Sequence, residues 1–171
     1  MKSIAGIPKD FSSNEKKRAI RSVLKNSVMI DDLVGTFLAT EYRESQRVAG
    51  VLEAVAKRDQ TLVQPHLKQL LIALESPNAS TGLKRNIPRI LQWMDIPPRL
   101  QGRAVNSCFR LLTDPAELVA AKVFAMTVLA NIAHEQPDLK NEIRQHIEAQ
   151  YHLSTPAFRS RAKKVIKILD R

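Results

Sequence analysis

A pattern that recurs about every 38 residues is the feature of this sequence that most constrains its fold. Four times along the chain a cationic residue is followed by a mostly apolar stretch, and the four cations are Arg47, Arg85, Lys122 and Arg161. Successive members of this set are 38, 37 and 39 residues apart. A near-constant period of this length is typical of stacked helical hairpins, because one hairpin cannot bury its apolar face alone. The chain is therefore predicted to form a repeat array.

The apolar residues inside the repeats follow a helical period. Val48, Val51 and Val55, for example, step by three and four residues along the chain, which places them on one face of a helix. No segment of five or more residues alternates convincingly between apolar and polar residues, as a half-buried strand would. The sequence therefore predicts an all-α protein.

Helix starts are marked by residues that accept hydrogen bonds from the first turn. Ser12 and Glu15 have the spacing of a capping box, and both Asp114 and Thr155 are followed by a proline, which suits the first position of a helix. Division of the chain at these signals and at the remaining prolines predicts helices near residues 13–25, 28–39, 42–58, 65–75, 80–94, 98–112, 116–134, 138–152 and 156–170. A first helix is thus followed by four helix pairs. Pro88 stands inside one predicted helix, which it should kink.

The third pair shows the clearest likeness to a known repeat family. Residues 111–115 read Leu-Leu-Thr-Asp-Pro through the turn, and residues 119–125 read Val-Ala-Ala-Lys-Val-Phe-Ala. This succession resembles the valine, basic residue and small residue of the HEAT-repeat (armadillo-like) family. The resemblance covers about residues 27–171 and implies an α-α superhelix, a HEAT-like solenoid of four helix pairs plus an N-terminal helix. We expect a single domain over residues 1–171, in which residues 1–26 are a basic N-terminal segment and helix.

The formal net charge of +10 is concentrated at the two ends of the chain. Residues 1–26 hold seven basic and two acidic residues, and residues 151–171 hold six basic and one acidic. The residues between are neutral overall, although residues 82–110 hold six cations and a single acid, Asp95. Because a basic surface suggests an acidic protein or a nucleic acid as partner, the ends and the second repeat are the places to look for binding.

The repeated cations allow two interpretations. In the family that the chain resembles, such a row often pairs with acids in the turns and joins neighbouring repeats. Here Asp114 lies eight residues before Lys122, but no acid stands eight residues before the other three cations. A row of unpaired cations would instead be able to receive an acidic partner or phosphate groups.

Twelve cations are candidates for partner binding. They are Arg47, Arg85, Arg89, Lys122 and Arg161 on the second helices, Lys84, Arg99 and Arg103 in the basic middle segment, and Arg159, Lys163, Lys164 and Lys167 on the last helix. A solvated face on the end repeat is the alternative for the last group, since cations there complement the negative end of the helix dipole. A membrane-surface role is disfavoured because the terminal helices offer no tryptophan.

The only tryptophan, Trp93, lies in the basic middle segment. Stacking on nucleic-acid bases would require this side chain to be exposed, but the apolar neighbours Ile90, Leu91 and Met94 favour a packed tryptophan. DNA glycosylases that remove alkylated bases share the HEAT-like architecture and use tryptophan and aspartate. Trp93 and Asp95 are the residues of those two types that this segment offers.

No catalytic, metal-binding or cofactor-binding motif is recognised, so no cofactor is expected. The five glycines are too far apart to form a phosphate-binding loop. His134 and Glu135 are followed by Gln136 and Pro137, so the zinc-binding pattern H-E-x-x-H is not completed. Cys108, the only cysteine, occupies an apolar helix position and is expected to be an inert buried thiol.

These observations predict a non-catalytic scaffold or adaptor whose partner is most simply another protein. Nucleic-acid backbone binding is the alternative. A more remote alternative is that the chain is a relative of the HEAT-like alkyl-base DNA glycosylases. No apolar stretch is long enough to cross a membrane. The first residues contain no apolar stretch suited to a secretory signal, so a cytoplasmic location is expected.

Overall fold

The computed structural model describes residues 13–26, 28–39 and 42–170. The helices in these residues are α1 (Ser13–Lys25), α2 (Val28–Ala39), α3 (Tyr42–Ala56), α4 (Leu67–Glu75), α5 (Thr81–Leu91), α6 (Pro98–Thr113), α7 (Val119–Ile132), α8 (Leu139–Tyr151) and α9 (Pro156–Leu169). Two short 3-10 turns, Gln60–Leu62 and Gln64–His66, lie between α3 and α4. The described residues contain no strand, and the predicted all-α class is confirmed.

The chain divides into two compact units, residues 1–95 and residues 96–171. In the first unit α2 packs on α3 and α4 packs on α5, and in the second α6 packs on α7 and α8 packs on α9. The second helices of neighbouring pairs also contact each other, α3 with α5 and α7 with α9. Helix α1 packs against α3. The predicted arrangement of four helix pairs and an N-terminal helix is therefore confirmed.

Each unit has an apolar core that follows the helical period of the sequence. Phe37, Leu52 and Val55 are fully buried in the first unit, as are Met126 and Phe158 in the second. A large apolar side chain that is buried in this way contributes roughly 1.5–3 kcal/mol relative to an exposed one. The apolar stripes of the helices are thus what hold the pairs together.

The helix starts show which capping signals the fold uses. Thr155 Oγ1 accepts a hydrogen bond from the backbone N–H of Phe158 at 3.4 Å, and α9 begins directly after Thr155, as predicted. Asp114 Oδ1 instead accepts from the N–H of Ala116 at 2.9 Å, which closes a turn before the helix. Because α7 begins only at Val119, the predicted start at residue 116 is wrong.

Two further expectations concern α1 and α5. Ser12, the first residue of the predicted capping box, lies outside the described residues. Helix α5 continues through Pro88, which is buried, and the N–H of Gln92 donates to the Pro88 carbonyl at 3.0 Å. The helix therefore ends within one turn of the proline, and the kink expected at Pro88 stays a prediction.

Candidate interaction surface

Lys122 and Arg161 join neighbouring helix pairs in the second unit. Lys122 on α7 is 7% exposed, and its Nζ donates to Gln150 Oε1 on α8 at 2.9 Å. Arg161 Nη1 on α9 donates to Thr127 Oγ1 on α7 at 3.0 Å, and its guanidinium lies 6.0 Å from the centre of the Phe124 ring. These contacts support the interpretation that the cations join repeats, but the partners are neutral groups rather than turn acids.

Gln150 holds the Lys122 contact in place. The Gln150 Nε2 donates to the carbonyl of Leu112 at 3.0 Å and to the carbonyl of His146 at 3.1 Å. With its amide nitrogen engaged in this way, the side chain presents Oε1 to the ammonium of Lys122. The ammonium of Lys122 is thus hydrogen-bonded within the fold, and a binding partner has little access to it.

The corresponding cations of the first unit are less engaged. Arg47 on α3 and Arg85 on α5 are half-buried. No hydrogen bond or ion pair of the Arg47 guanidinium is found among the described residues, and Arg85 Nε is buried without a hydrogen-bond partner. Arg89 on α5, by contrast, forms a salt bridge with Glu53 on α3. Within the described part of the chain, Arg47 and Arg85 therefore have no neutralising carboxylate.

The remaining candidates are cations with solvent access on three helices. They are Lys84 on α5, Arg99 and Arg103 on α6, and Arg159, Lys163, Lys164 and Lys167 on α9. Lys84 and Arg159 are half-buried, and the other five are exposed. Of the twelve candidates, four belong to residues 1–95 and eight to residues 96–171, so neither unit holds them all.

Trp93 is exposed to solvent, so the expectation of a packed tryptophan is wrong. Helix α5 ends at Leu91. In the turn that follows, the backbone N–H of Trp93 donates to the Ile90 carbonyl at 3.1 Å. The indole keeps 38% exposure, although its apolar neighbours Ile90, Leu91 and Met94 are buried. Lys57, in the turn after α3, places its Nζ 4.6 Å from the centre of the indole ring, a distance typical of a cation–π interaction.

Sequence reasoning missed Glu53 as the neighbour of Arg89 and Lys57 as the neighbour of Trp93. Glu53 lies 36 residues before its partner Arg89, and Lys57 lies 36 residues before Trp93. The common offset is the register in which α3 and α5 pack, and it is close to the period of the repeat. We refer to Glu53, Lys57, Arg89 and Trp93 together as the Trp93 surface.

Asp95, the acid considered for a glycosylase role, is hydrogen-bonded to the connection between α3 and α4. Its Oδ2 accepts from Gln60 Nε2 at 2.5 Å, and its backbone N–H donates to Gln60 Oε1 at 2.5 Å. Its carbonyl accepts from Gln64 Nε2 at 2.8 Å. These three contacts hold the chain after α5 against the two 3-10 turns. The role that they give Asp95 is structural.

Each unit carries a groove on its described surface. A groove of about 400 Å³ between α8 and α9 is lined by Glu148, Tyr151, His152, Lys163, Ile166, Lys167 and Asp170. A groove of about 300 Å³ beside α1 is lined by Lys17, Ile20, Arg21, Leu24 and Arg58. The first groove carries charges of both signs, whereas the described lining of the second combines cations with apolar side chains and includes no acid.

Cys108 is completely buried in α6, as predicted. Burial disfavours the thiolate and raises the pKa of this thiol from 9.0 to about 12. Within the described residues, His, Cys, Asp and Glu side chains form no group of three that could hold a metal ion. None of the helices described is long and apolar enough to cross a membrane.

Comparison with known protein families gives a match over most of the chain. A family model described as a HEAT repeat domain matches residues 8–169, which is nearly the whole chain. No curated protein sequence and no solved structure gives a significant match.

Proposed function

Because the chain belongs to the HEAT repeat family, we propose that it is a non-catalytic scaffold or adaptor whose partner is another protein. Stacked helix pairs present extended surfaces that bind without a reactive pocket. The proposal includes a cytoplasmic location, because the single free thiol, Cys108, suits a reducing compartment. It does not include a membrane as partner.

One observation carries the proposal: Trp93 is 38% exposed, and Lys57 lies over its ring. Tryptophan is enriched among the residues that contribute most to protein interfaces, because its large rigid ring gains much from being covered. The indole stands beside the charged Lys57 in the turn after α3, which resembles the polar rim around an interface anchor. An exposed tryptophan in this setting indicates a site where a partner protein covers the ring.

The charges of the Trp93 surface favour an acidic occupant. Glu53 neutralises Arg89, but no ion pair of Lys57 is found among the described residues. A carboxylate of the partner would pair with Lys57, while an apolar side chain next to it would cover the indole. The proposed partner segment therefore carries aspartate or glutamate beside an apolar residue.

Affinity capture from the native cell extract tests the proposal. We expect the immobilised chain to retain a protein to the same extent with and without nuclease treatment of the extract. Trp93→Ala should reduce the retained protein about tenfold or more, because truncation of an interface anchor costs roughly 2 kcal/mol or more. The retained amount is measured by quantitative mass spectrometry.

Ile72→Ala is the matched control for this experiment. Ile72 is 49% exposed on α4 of the same unit, so its truncation removes a similar exposed apolar group away from the Trp93 surface. Capture by this variant should equal that of the wild type. Equal capture by the wild type and Trp93→Ala, or retention that nuclease abolishes, would contradict the proposal.

Nucleic-acid backbone binding remains the second candidate, because Arg47 and Arg85 lack carboxylate partners among the described residues. Its test is the binding of duplex and single-stranded DNA at rising salt concentration. A backbone binder loses affinity steeply, since each phosphate contact releases a counterion. Absence of binding at low salt, or binding that salt leaves unchanged, rejects this candidate.

A further inference from the structure

The groove beside α1 is lined by cations and aliphatic side chains, whereas the apolar group of the Trp93 surface is an indole ring. We propose that this groove binds an amphipathic helix of a partner protein, with acidic residues on both sides of the apolar stripe of that helix. The inference rests on the proposed function, protein binding. It concerns a different surface, because the groove shares no residue with the Trp93 surface.

One stripe of α1 forms most of the groove. Lys17, Ile20, Arg21 and Leu24 follow each other at intervals of three, one and three residues, which places all four on the same side of the helix. Arg58, in the turn after α3, completes the lining. Its Nη1 donates to the carbonyl of Ala54 at 3.1 Å, so one of its five N–H groups is used within the fold and the rest can reach a ligand.

The charges that line the described part of the groove are all positive. Lys17, Arg21 and Arg58 are exposed, and no ion pair of these three side chains is found among the described residues. None of the five lining residues is acidic. Three cations that face one groove repel one another, and carboxylates of an occupant would relieve that repulsion.

The apolar side chains of the groove decide what kind of acidic partner fits. Ile20 is 6% exposed and Leu24 is half-buried, so the apolar surface between the cations is offered mainly by Leu24. A volume of about 300 Å³ lies at the lower end of the range for ligand pockets and suits a few side chains. Partner helices bind such grooves through apolar anchors three and four residues apart, which matches the spacing on α1.

Other occupants fit the groove less well. Among the described residues no aromatic side chain lines it, so that part of the groove offers no ring on which a nucleic-acid base could stack. A membrane would need the apolar face of α1, but Ala19, Ile20 and Val23 are buried in the fold and cannot insert into a bilayer. An acidic amphipathic peptide meets both the charge and the apolar lining.

A binding titration with synthetic peptides tests the proposal on the full chain. The probe is a fluorescent helical peptide with leucines three and four residues apart, flanked by glutamates. We expect measurable binding, and we expect replacement of the glutamates by glutamine or of the leucines by serine to abolish it. Arg21→Glu and, separately, Arg58→Glu should weaken binding about tenfold or more, because each substitution turns attraction into repulsion.

Arg18→Glu is the matched control variant. Arg18 is also an exposed cation of α1, but it does not line the groove, so the same change of charge should alter the affinity less than about twofold. Circular dichroism verifies that each variant is folded, and Arg58→Glu tests the groove without altering α1. Trp93→Ala should leave peptide affinity unchanged, which separates a failure at this groove from a failure of the Trp93 surface.

Several results would overturn the inference. They are absence of peptide binding, equal weakening by Arg21→Glu and Arg18→Glu, and binding that persists without the leucines. Anionic phospholipid vesicles and a single-stranded oligonucleotide serve as competing probes. If either binds in place of the peptide and Arg21→Glu weakens that binding, the groove takes a different class of ligand and the peptide proposal is rejected.

Discussion

At Cys108, burial makes the neutral thiol the stable form and raises its pKa from 9.0 to about 12. Trp93, which follows the end of α5 at Leu91, shows the opposite outcome, and its indole is left 38% exposed. Both residues have apolar neighbours in the sequence, so composition alone does not distinguish them. Burial is set by the fold around each residue, since Met94, the residue after Trp93, is only 5% exposed.

The raised pKa of Cys108 predicts that the protein loses stability at alkaline pH. The thiol of the unfolded chain ionises above pH 9.0, whereas the folded thiol stays protonated until about pH 12. The contribution of the protonated thiol is therefore fully present below pH 9.0 and is lost as the pH rises toward 12. Between pH 8 and pH 10 the loss amounts to about 1.4 kcal/mol.

Urea denaturation of the wild type and Cys108→Ala at pH 8 and pH 10 measures this loss. The difference in unfolding free energy between the two proteins isolates the thiol from other groups that titrate in the same range. Relative to the variant, the wild type should be about 1.4 kcal/mol less stable at pH 10 than at pH 8. The same difference at both pH values would show that the folded thiol ionises normally.

At the scale of the helix, the sequence predicted most boundaries closely because capping is a local interaction. Thr155 accepts a hydrogen bond from the first turn of α9 as its sequence pattern predicts. Asp114 precedes a proline in the same way, yet it closes a separate turn, and α7 begins at Val119. The two patterns cannot be distinguished locally, since a turn and a helix start use the same acceptor chemistry.

Thr155→Ala should destabilise the protein by about 1 kcal/mol, because the N-cap hydrogen bond to Phe158 is lost. Ser154→Ala is the neighbouring control, and no hydrogen bond of the Ser154 side chain is found among the described residues. Its effect should stay within about 0.5 kcal/mol. Thermal or urea unfolding measures both variants, and equal effects would argue against capping by Thr155.

At the scale of the molecule, contacts between distant helices were the part that the sequence did not predict. The repeat period indicated which helices form pairs, but the register of α3 and α5 was needed to bring Lys57 to Trp93. In the same way, the pattern of α1 includes Lys17 and Arg21, while only the fold adds Arg58 to their groove. Periodicity identifies the buried face of a helix, whereas its partner depends on how the pairs stack.

The proposal of a single domain predicts that residues 1–95 and residues 96–171 unfold together. The only tryptophan, Trp93, belongs to the first unit, and the only cysteine, Cys108, belongs to the second. During urea denaturation, Trp93 fluorescence and the reactivity of Cys108 toward a thiol reagent should change at the same midpoint, because one domain unfolds cooperatively. Two distinct midpoints would show that the units are separate domains.

Photo-crosslinking at position 93 in living cells tests the central claim, protein binding through the Trp93 surface, most directly. A photoreactive amino acid replaces Trp93 in one variant and the exposed Ile72 in another. We expect the variant at position 93 to form a discrete covalent adduct with another protein, and the variant at position 72 to form none. An adduct with nucleic acid at position 93, or the same protein adducts from both positions, would contradict the claim.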